Sequence, residues 1–423
     1  MKNKFSNILC FSSYNANINR VFEDYCNGIK ANSDNYHYID YAKLYLEKGK
    51  SGFEKYIETY VSEHKIDLIF FIWWSCDLTF DINFLERLSK TAHKPKLVMN
   101  FFDTEYYFEA VDRYYAQVAD LVILPDSLAR YRYEHLNINA HTSFALFDGD
   151  YYKNTYETNK DIDVSFIGNL KNADRAEYAA YLKANGIKVQ TYGVGSDNGF
   201  ASFDEMVSIF NRSKINLNFT TLATSENYIV PLPTINQRIR QSKGRPLEIA
   251  LCSGFILSQH AAGIEEMFKI GEEFDVFHSK EEMLEKIKFY LANEEKRILM
   301  AEKSYERALK QYEVKAGFKI IFDRLENLPP KQNFPQSFPL YIDDIFMRSY
   351  VSSRLMYITR HLMSGRFSPA FEEMGVIFKY RKISLSMAYF FAVKGVVFAL
   401  LEKPKLYEKL KRIKSKIGMK VKY

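Results

Sequence analysis

The chain has 423 residues, too many for one ordinary hydrophobic core and enough for two domains with an appendage. Its 47% apolar and 26% charged residues are those of a soluble globular protein, which excludes gross disorder. The formal charge of +6 is local: residues 402–423 carry nine Lys/Arg against Glu402 and Glu408, a net +7 that leaves −1 for residues 1–401. The body therefore lacks the spread basic surface of a nucleic-acid enzyme.

Along the first part, short apolar runs alternate with helical stretches, the pattern of a parallel α/β sheet. Asn7–Ser12 reads as a strand, followed by a helix through Val21–Ile29, a short strand Tyr36–Ile39 and an amphipathic helix Phe53–His64. Asp67–Trp73 is continuous in hydrophobicity, as central parallel strands are. Lys96–Phe102 and Leu121–Leu124 repeat the form, and each empties into acids: Asp103 and Glu105 after one, Asp126 after the other. In open parallel sheets the carboxyl ends of strands border the ligand crevice. The N-terminal MKNKFSNILCFSS runs straight into the first strand without a signal-peptide pattern, which predicts a cytoplasmic protein.

The polar stretch Asp148–Asp161 reads as an interdomain linker, dividing a domain over 1–150 from one over 161–326. Strands are then expected at Asp163–Ile167, Lys188–Tyr192, Ile215–Phe219 and Phe255–Ser258. Helices are expected at Arg175–Asn185, Phe203–Arg212, Pro246–Cys252, Ile264–Phe268, Lys280–Asn293 and Glu295–Tyr312. Two Rossmann-like halves facing a cleft make the GT-B plan. A Pro/Asn/Gln-rich loop over 327–340 leads to a helical extension, 341–423. Within it Ile383–Leu401 has nearly the length of a membrane span, but Lys394 and Gly395 interrupt it, so it reads as a buried crossover helix.

The four cysteines Cys10, Cys26, Cys76 and Cys252 have no CxxC spacing, which argues against a zinc site or disulfide framework. Tyr and Phe, 31 and 34 copies, are first of all core material, though such aromatics also suit sugar stacking or a membrane interface. Gly193-Val-Gly195-Ser-Asp-Asn-Gly199 has its third glycine one place late for a dinucleotide loop and reads as a turn.

Chemistry concentrates in Ser242–Glu266, SKGRPLEIALCSGFILSQHAAGIEE. Glu248 at a helix start can accept two hydrogen bonds from ribose hydroxyls. Lys243 and Arg245 can neutralise a departing diphosphate, the arginine fork matching phosphate oxygens. Gly263 opens a further predicted helix whose amides favour anions. The bland reading of Glu248, a solvated first-turn glutamate favoured by the helix dipole, is weakened by the two cations beside it.

Arg245-x-x-Glu248-Ile-Ala-Leu-Cys-Ser-Gly254-Phe-Ile-Leu, then Gly263-Ile-Glu-Glu-Met-Phe, Gly271-Glu-Glu and the helix from Lys280, resemble the CgeB-like group of GT-B glycosyltransferases. The resemblance covers Val164 to Tyr312, the N-terminal domain only in outline, and none of the last ninety or so residues. It implies that Glu248 holds the donor ribose and that Arg245 and Lys243 contact the diphosphate. Gly168, Asn169 and Lys171 would form the cleft-facing loop after the domain's first strand. Many retaining relatives carry a second glutamate, which would fall at Arg240; that contact is missing or rebuilt, so the stereochemical outcome does not carry over. Arg238 and Arg240 read as a solvated basic loop.

A catalytic base would come from the first domain across the cleft, with Asp103 and Glu105 the candidates and Asp126 behind them, although acids after strands are also common helix caps. His141 and His260 fall on predicted cleft loops. No cofactor or metal is expected, because protein cations and helix amides serve the leaving diphosphate. The tail from Lys405 places Leu406, Leu410, Ile413 and Ile417 along one face of a basic helix, suited to an anionic leaflet. The expected function is transfer from a nucleoside-diphosphate sugar to a glycan or lipid-linked acceptor in bacterial cell-surface polysaccharide, lipopolysaccharide or glycolipid assembly. The enzyme would be cytoplasmic and peripheral on the inner membrane face, with no nucleic-acid partner. The rival is an inactive GT-B scaffold in a membrane-associated complex.

Overall fold

The computed structural model describes residues 5–13, 20–73, 78–156, 160–171, 174–221, 240–328 and 344–401, and of residues 105 and 106 the backbone only. Its first sheet has six parallel strands: β1 (Asn7–Ser12), β2 (Asn35–Asp40), β3 (Leu68–Ile72), β4 (Lys96–Asn100), β5 (Leu121–Leu124) and β6 (Ala140–Thr142), in the order β2-β1-β3-β4-β5-β6. Every residue of β3 is buried, as its unbroken apolar sequence requires of a strand covered on both faces. The second sheet has five parallel strands: β7 (Ile162–Ile167), β8 (Val189–Tyr192), β9 (Ser213–Asn218), β10 (Ile256–Gln259) and β11 (Asp275–Phe277), ordered β11-β10-β9-β7-β8. Each order reverses once, between β1 and β3 and between β7 and β9. The chain is thus two Rossmann-like domains of GT-B architecture with appended helices.

The domains are joined twice. Residues 144–152 and 311–314 run side by side, with Phe147 N donating to Tyr312 O at 3.1 Å and Val314 N to Phe147 O at 3.0 Å. The helix Val314–Glu326, not anticipated as an element, returns to the first domain and lies along the helix Val21–Ala31. Gly28 makes this possible: a Cβ there would stand 2.4 Å from the Phe318 ring. Phe318 in turn sits edge-on to Tyr25 and Phe70, at 5.3 and 5.2 Å between ring centres. Residues assigned to the second domain from sequence thereby complete the core of the first.

The extension also belongs to the first domain. Phe346, on the helix Asp344–Met363, packs on Tyr114 and Tyr115 at 4.8 and 5.4 Å. Arg354 and Glu373, both without solvent exposure, form an ion pair at 3.3 Å, and Tyr45 of the first domain donates to Glu373 at 2.5 Å. Arg354 also donates to Tyr45 Oη, Thr79 O, Tyr350 O and Leu78 O.

The segment read as an enclosed crossover helix is instead half-exposed: Leu385–Leu401 buries Ala388, Phe391, Gly395 and Ala399 and leaves Leu385, Tyr389, Val393 and Val396 in solvent. The reason is that only one of its sides meets the helix Asp344–Met363. Among the described residues no helix is long and apolar enough to cross a membrane. The basic tail 402–423 and Arg238 lie outside the described residues.

Candidate functional site

A cleft of about 330 Å³ opens between the domains where the strands of both sheets end, lined by Val21, Phe102 and Asp103 from one side and Gly168, Arg175 and Asn218 from the other. The segment Gln241–Arg245 and Glu248 form its floor. This is the position that the carboxyl-end rule for parallel sheets assigns to a ligand.

Glu248 sits in the first turn of the helix Arg245–Leu251, whose start Arg245-Pro246 supplies the fixed φ suited to a first turn. Gly254 lets this helix turn under itself into β10, since a Cβ there would lie 2.8 Å from both Asn216 and Ile249 side-chain atoms. Glu248 is 8% exposed. One oxygen pairs with the Arg245 guanidinium, and the other accepts from Tyr152 Oη at 3.0 Å. Burial pushes its pKa above the ordinary glutamate value, with Arg245 and Tyr152 pulling the other way. Tyr152 belongs to the stretch read as a mere linker.

Lys243 reaches across the cleft to Asp103, Nζ to Oδ1, at 3.1 Å. Asp103 holds φ +40°, a left-handed conformation uncommon for a residue with a side chain, and such strain concentrates at functional positions. The side chain of Glu105 lies outside the described residues. Asp126 serves as a cap and a tie: Oδ1 accepts from Leu128 N and Ala129 N, Oδ2 from Ser242 N at 3.0 Å.

Gly168 lines the cleft and is pressed by Gly193, where φ is +112° and a Cβ would stand 2.3 Å from Gly168 O. The glycine-rich run is thus a turn supporting the cleft loop. Asn169 turns its Oδ1 to Lys171 N at 2.9 Å, while Lys171 is exposed with its stem along Gly195; neither side chain is part of the cleft lining.

Gly263 requires a correction. It precedes only a three-residue 3-10 turn, Ile264–Glu266, and is closed off by the first domain: Ser127 Oγ donates to its carbonyl at 3.2 Å, and a Cβ would lie 2.9 Å from Ser127 Cβ. It is a domain contact, and Ile264 N and Glu266 N already donate to Ala261 O and Gly263 O, which leaves no run of free amides for an anion.

His141 lies within β6 rather than on a loop, and burial, helped by Arg324 and Arg130, lowers its pKa to about 4. His260 pairs with Glu265 at 2.8 Å. Arg240 bridges in backbone to Thr221 and donates to His260 O at 3.4 Å.

Sequence reasoning missed Arg175, the first residue of the helix Arg175–Ala184. Its guanidinium lines the cleft and donates to Asn169 O at 3.2 Å and Thr221 O at 3.4 Å, over the Phe166 ring. A cation in a helix's first turn opposes the macrodipole, which is the signal that could have found it. Gln241 Oε1 and Ser242 Oγ, also missed, are buried at the cleft without an intramolecular hydrogen bond, the state of groups that a polar ligand can satisfy. The site therefore offers one buried carboxylate suited to vicinal hydroxyls, cations suited to a diphosphate, and an acid on the opposite lobe.

The glycosyl transferase-like family matches residues 160–322, the second domain together with the first part of the returning helix. No protein of curated function matches the chain in sequence. Among solved structures, Anabaena Alr3699/HepE in complex with UDP is similar with a TM-score of 0.53 at 14% identity, over 76% of this chain and 100% of that one. A glycosyltransferase from Rickettsia africae is similar with a TM-score of 0.50 at 9% identity, over 77% of this chain and 100% of that one. At these identities the likeness concerns the fold, the GT-B plan of two Rossmann-like domains.

Proposed function

We propose that this GT-B glycosyltransferase transfers a sugar from a nucleoside diphosphate, bound at Glu248, Arg245, Lys243 and Arg175, to an acceptor presented by the first domain. The observation that carries this reading is the buried Glu248 carboxylate, aligned by Arg245 and Tyr152 on the cleft floor. The UDP complex of the Anabaena protein supports a uridine donor. The segment from Arg245 to Leu257 supports the CgeB-like group, and the acceptor class is a glycan or lipid-linked precursor of bacterial cell-surface polysaccharide, lipopolysaccharide or glycolipid. In the transfer, the acceptor oxygen bonds the anomeric carbon, its proton passes to Asp103, and the nucleoside diphosphate leaves toward the three cations. Such preorganised charge stabilises a departing anion without a cofactor. The enzyme acts at the cytoplasmic face of the membrane, with the 402–423 tail drawn to anionic lipid.

Calorimetry with UDP, GDP and their sugars tests the donor. Binding of one nucleotide is expected, weakened about ten- to a hundredfold in Glu248→Ala, as loss of hydrogen bonds to a charged group implies. Silence toward every nucleotide would replace the enzyme with a scaffold.

A further inference from the structure

The exposed side of the helix Leu385–Leu401 has no structural explanation so far. Its buried stripe of Ala388, Phe391, Gly395 and Ala399 lies against the helix Asp344–Met363, so closely that a Cβ on Gly395 would stand 2.7 Å from Met356 O. Beside that stripe, about a quarter turn round the helix, Leu385, Tyr389, Val393 and Val396 recur at helical spacing, with Leu385 84% and Tyr389 75% exposed. Phe378, before the short turn 381–384, is 73% exposed, and Phe367 and Phe371 on the same preceding helix are exposed as well. Large apolar side chains left exposed along a helix face mark an interaction site. The one cation of the helix, Lys394, lies over the rings of Phe390 and Phe398.

We infer that this surface docks on an anionic bilayer, the apolar side chains entering the headgroup–acyl boundary. Charge selects this occupant. The chain passes from Leu401 directly into residues 402–423, which carry nine Lys/Arg against two Glu. An anionic leaflet attracts these nine cations, whereas a second copy of the chain carries the same charge and offers them no counter-charge. The amphipathic logic matches, since interfacial helices pair an apolar face with nearby Lys/Arg and aromatic residues. The inference extends the membrane-facing part of the proposed function by assigning the hydrophobic contact to the folded extension. It also bears on the acceptor. Arg354, Glu373 and Phe346 fix the extension to the first domain, so docking holds the acceptor lobe beside the lipid, as a lipid-linked acceptor requires.

Co-sedimentation of the full chain with phosphatidylglycerol-containing and pure phosphatidylcholine vesicles tests this. The wild-type chain is expected to bind the former and not the latter. The exposed-site double variant Leu385→Asp/Tyr389→Asp is expected to bind phosphatidylglycerol vesicles at least about tenfold more weakly, with an unchanged unfolding midpoint. Wild-type binding by the double variant would assign docking to the tail alone and overturn the inference. A wild-type dimer that the double variant converts to a monomer in light scattering would assign the surface to a second copy and overturn it too. Vesicle binding needs no nucleotide, so failure of UDP to bind would retire the proposed function and leave this result readable.

Discussion

Asp103 and Lys243, from opposite domains, meet across the cleft at 3.1 Å. Their pairing puts the acid proposed to accept the acceptor's proton within one hydrogen bond of a cation proposed to hold the diphosphate. The two roles separate kinetically. Asp103→Asn is expected to lower kcat by about 10²- to 10⁴-fold, the usual yield of a positioned general base. Lys243→Ala is expected chiefly to weaken donor binding, about tenfold, as loss of one charge-assisted contact does. Steady-state kinetics with donor calorimetry decide. Equal losses of affinity in both variants, with kcat retained, would reduce Asp103 to an orienting partner of Lys243.

Glu248 sets function against stability. Its carboxyl is raised above the ordinary value chiefly by burial. The folded state therefore holds the proton more tightly than the unfolded state, and the charged form costs stability as pH rises through the unfolded value. Ribose binding needs that charged form. Glu248→Gln is expected to lower nucleotide affinity at neutral pH while leaving the unfolding midpoint equal or higher. Acidification is expected to weaken donor binding to the wild type from above the ordinary carboxylate range, and to leave the glutamine variant flat. A Glu248→Gln protein that loses stability together with affinity would show the carboxylate to be structural.

Much of this site was legible because local chemistry encodes it. Leu121–Leu124 stood out as an apolar run, and the helix Phe203–Arg212 has the bounds read for it, its start held by the reciprocal cap of Ser202 and Glu205. Glu248, Arg245 and Lys243 announced themselves by charge type and spacing. What stayed hidden is what only tertiary contact creates. Tyr152 looked like linker until Glu248 was seen to accept its hydroxyl, and Arg175 looked like a helix residue until β7 and β9 placed it in the cleft. β6 and β11, three residues each, are too short to show a period. The return of Val314–Glu326 to the first domain rests on the fit of Phe318 against Gly28, a relation between distant positions that no window of sequence contains.

The buried pair Arg354–Glu373 is expected to be asymmetric under mutation. Glu373→Ala leaves a fully buried guanidinium without its counter-charge and is expected to cost about 3–5 kcal/mol. Arg354→Met with Glu373→Leu removes both charges and is expected to cost less than Glu373→Ala, the remaining loss coming from Leu78 O and Thr79 O left without their donor. Chemical denaturation of the three proteins checks this. A double variant no more stable than Glu373→Ala would show that the hydrogen bonds of Arg354, rather than the ion pair, clamp the extension.

Two histidines are expected to weaken the fold in acid. Burial lowers His361 to about 4, with Arg366 and Arg360 acting in the same direction, and His141 reaches about 4 by burial beside Arg324 and Arg130. An unfolded histidine takes its proton near pH 6.5. Between about pH 6.5 and 4 the unfolded state therefore binds protons that the folded state refuses, and stability falls as pH falls. Each group accounts for about 3 kcal/mol across that window. Buried acids act with the opposite sign: burial raises Asp24 to about 8, so the folded state keeps that proton where the unfolded state has lost it. The slope of the wild type alone is therefore ambiguous, and the difference between two proteins is the measurement. His361→Leu should gain about 3 kcal/mol relative to wild type on going from neutral pH to about pH 4, in denaturation series at matched ionic strength. A constant difference at every pH would mean that His361 titrates in the folded state as it does in the unfolded chain, without a shift from burial.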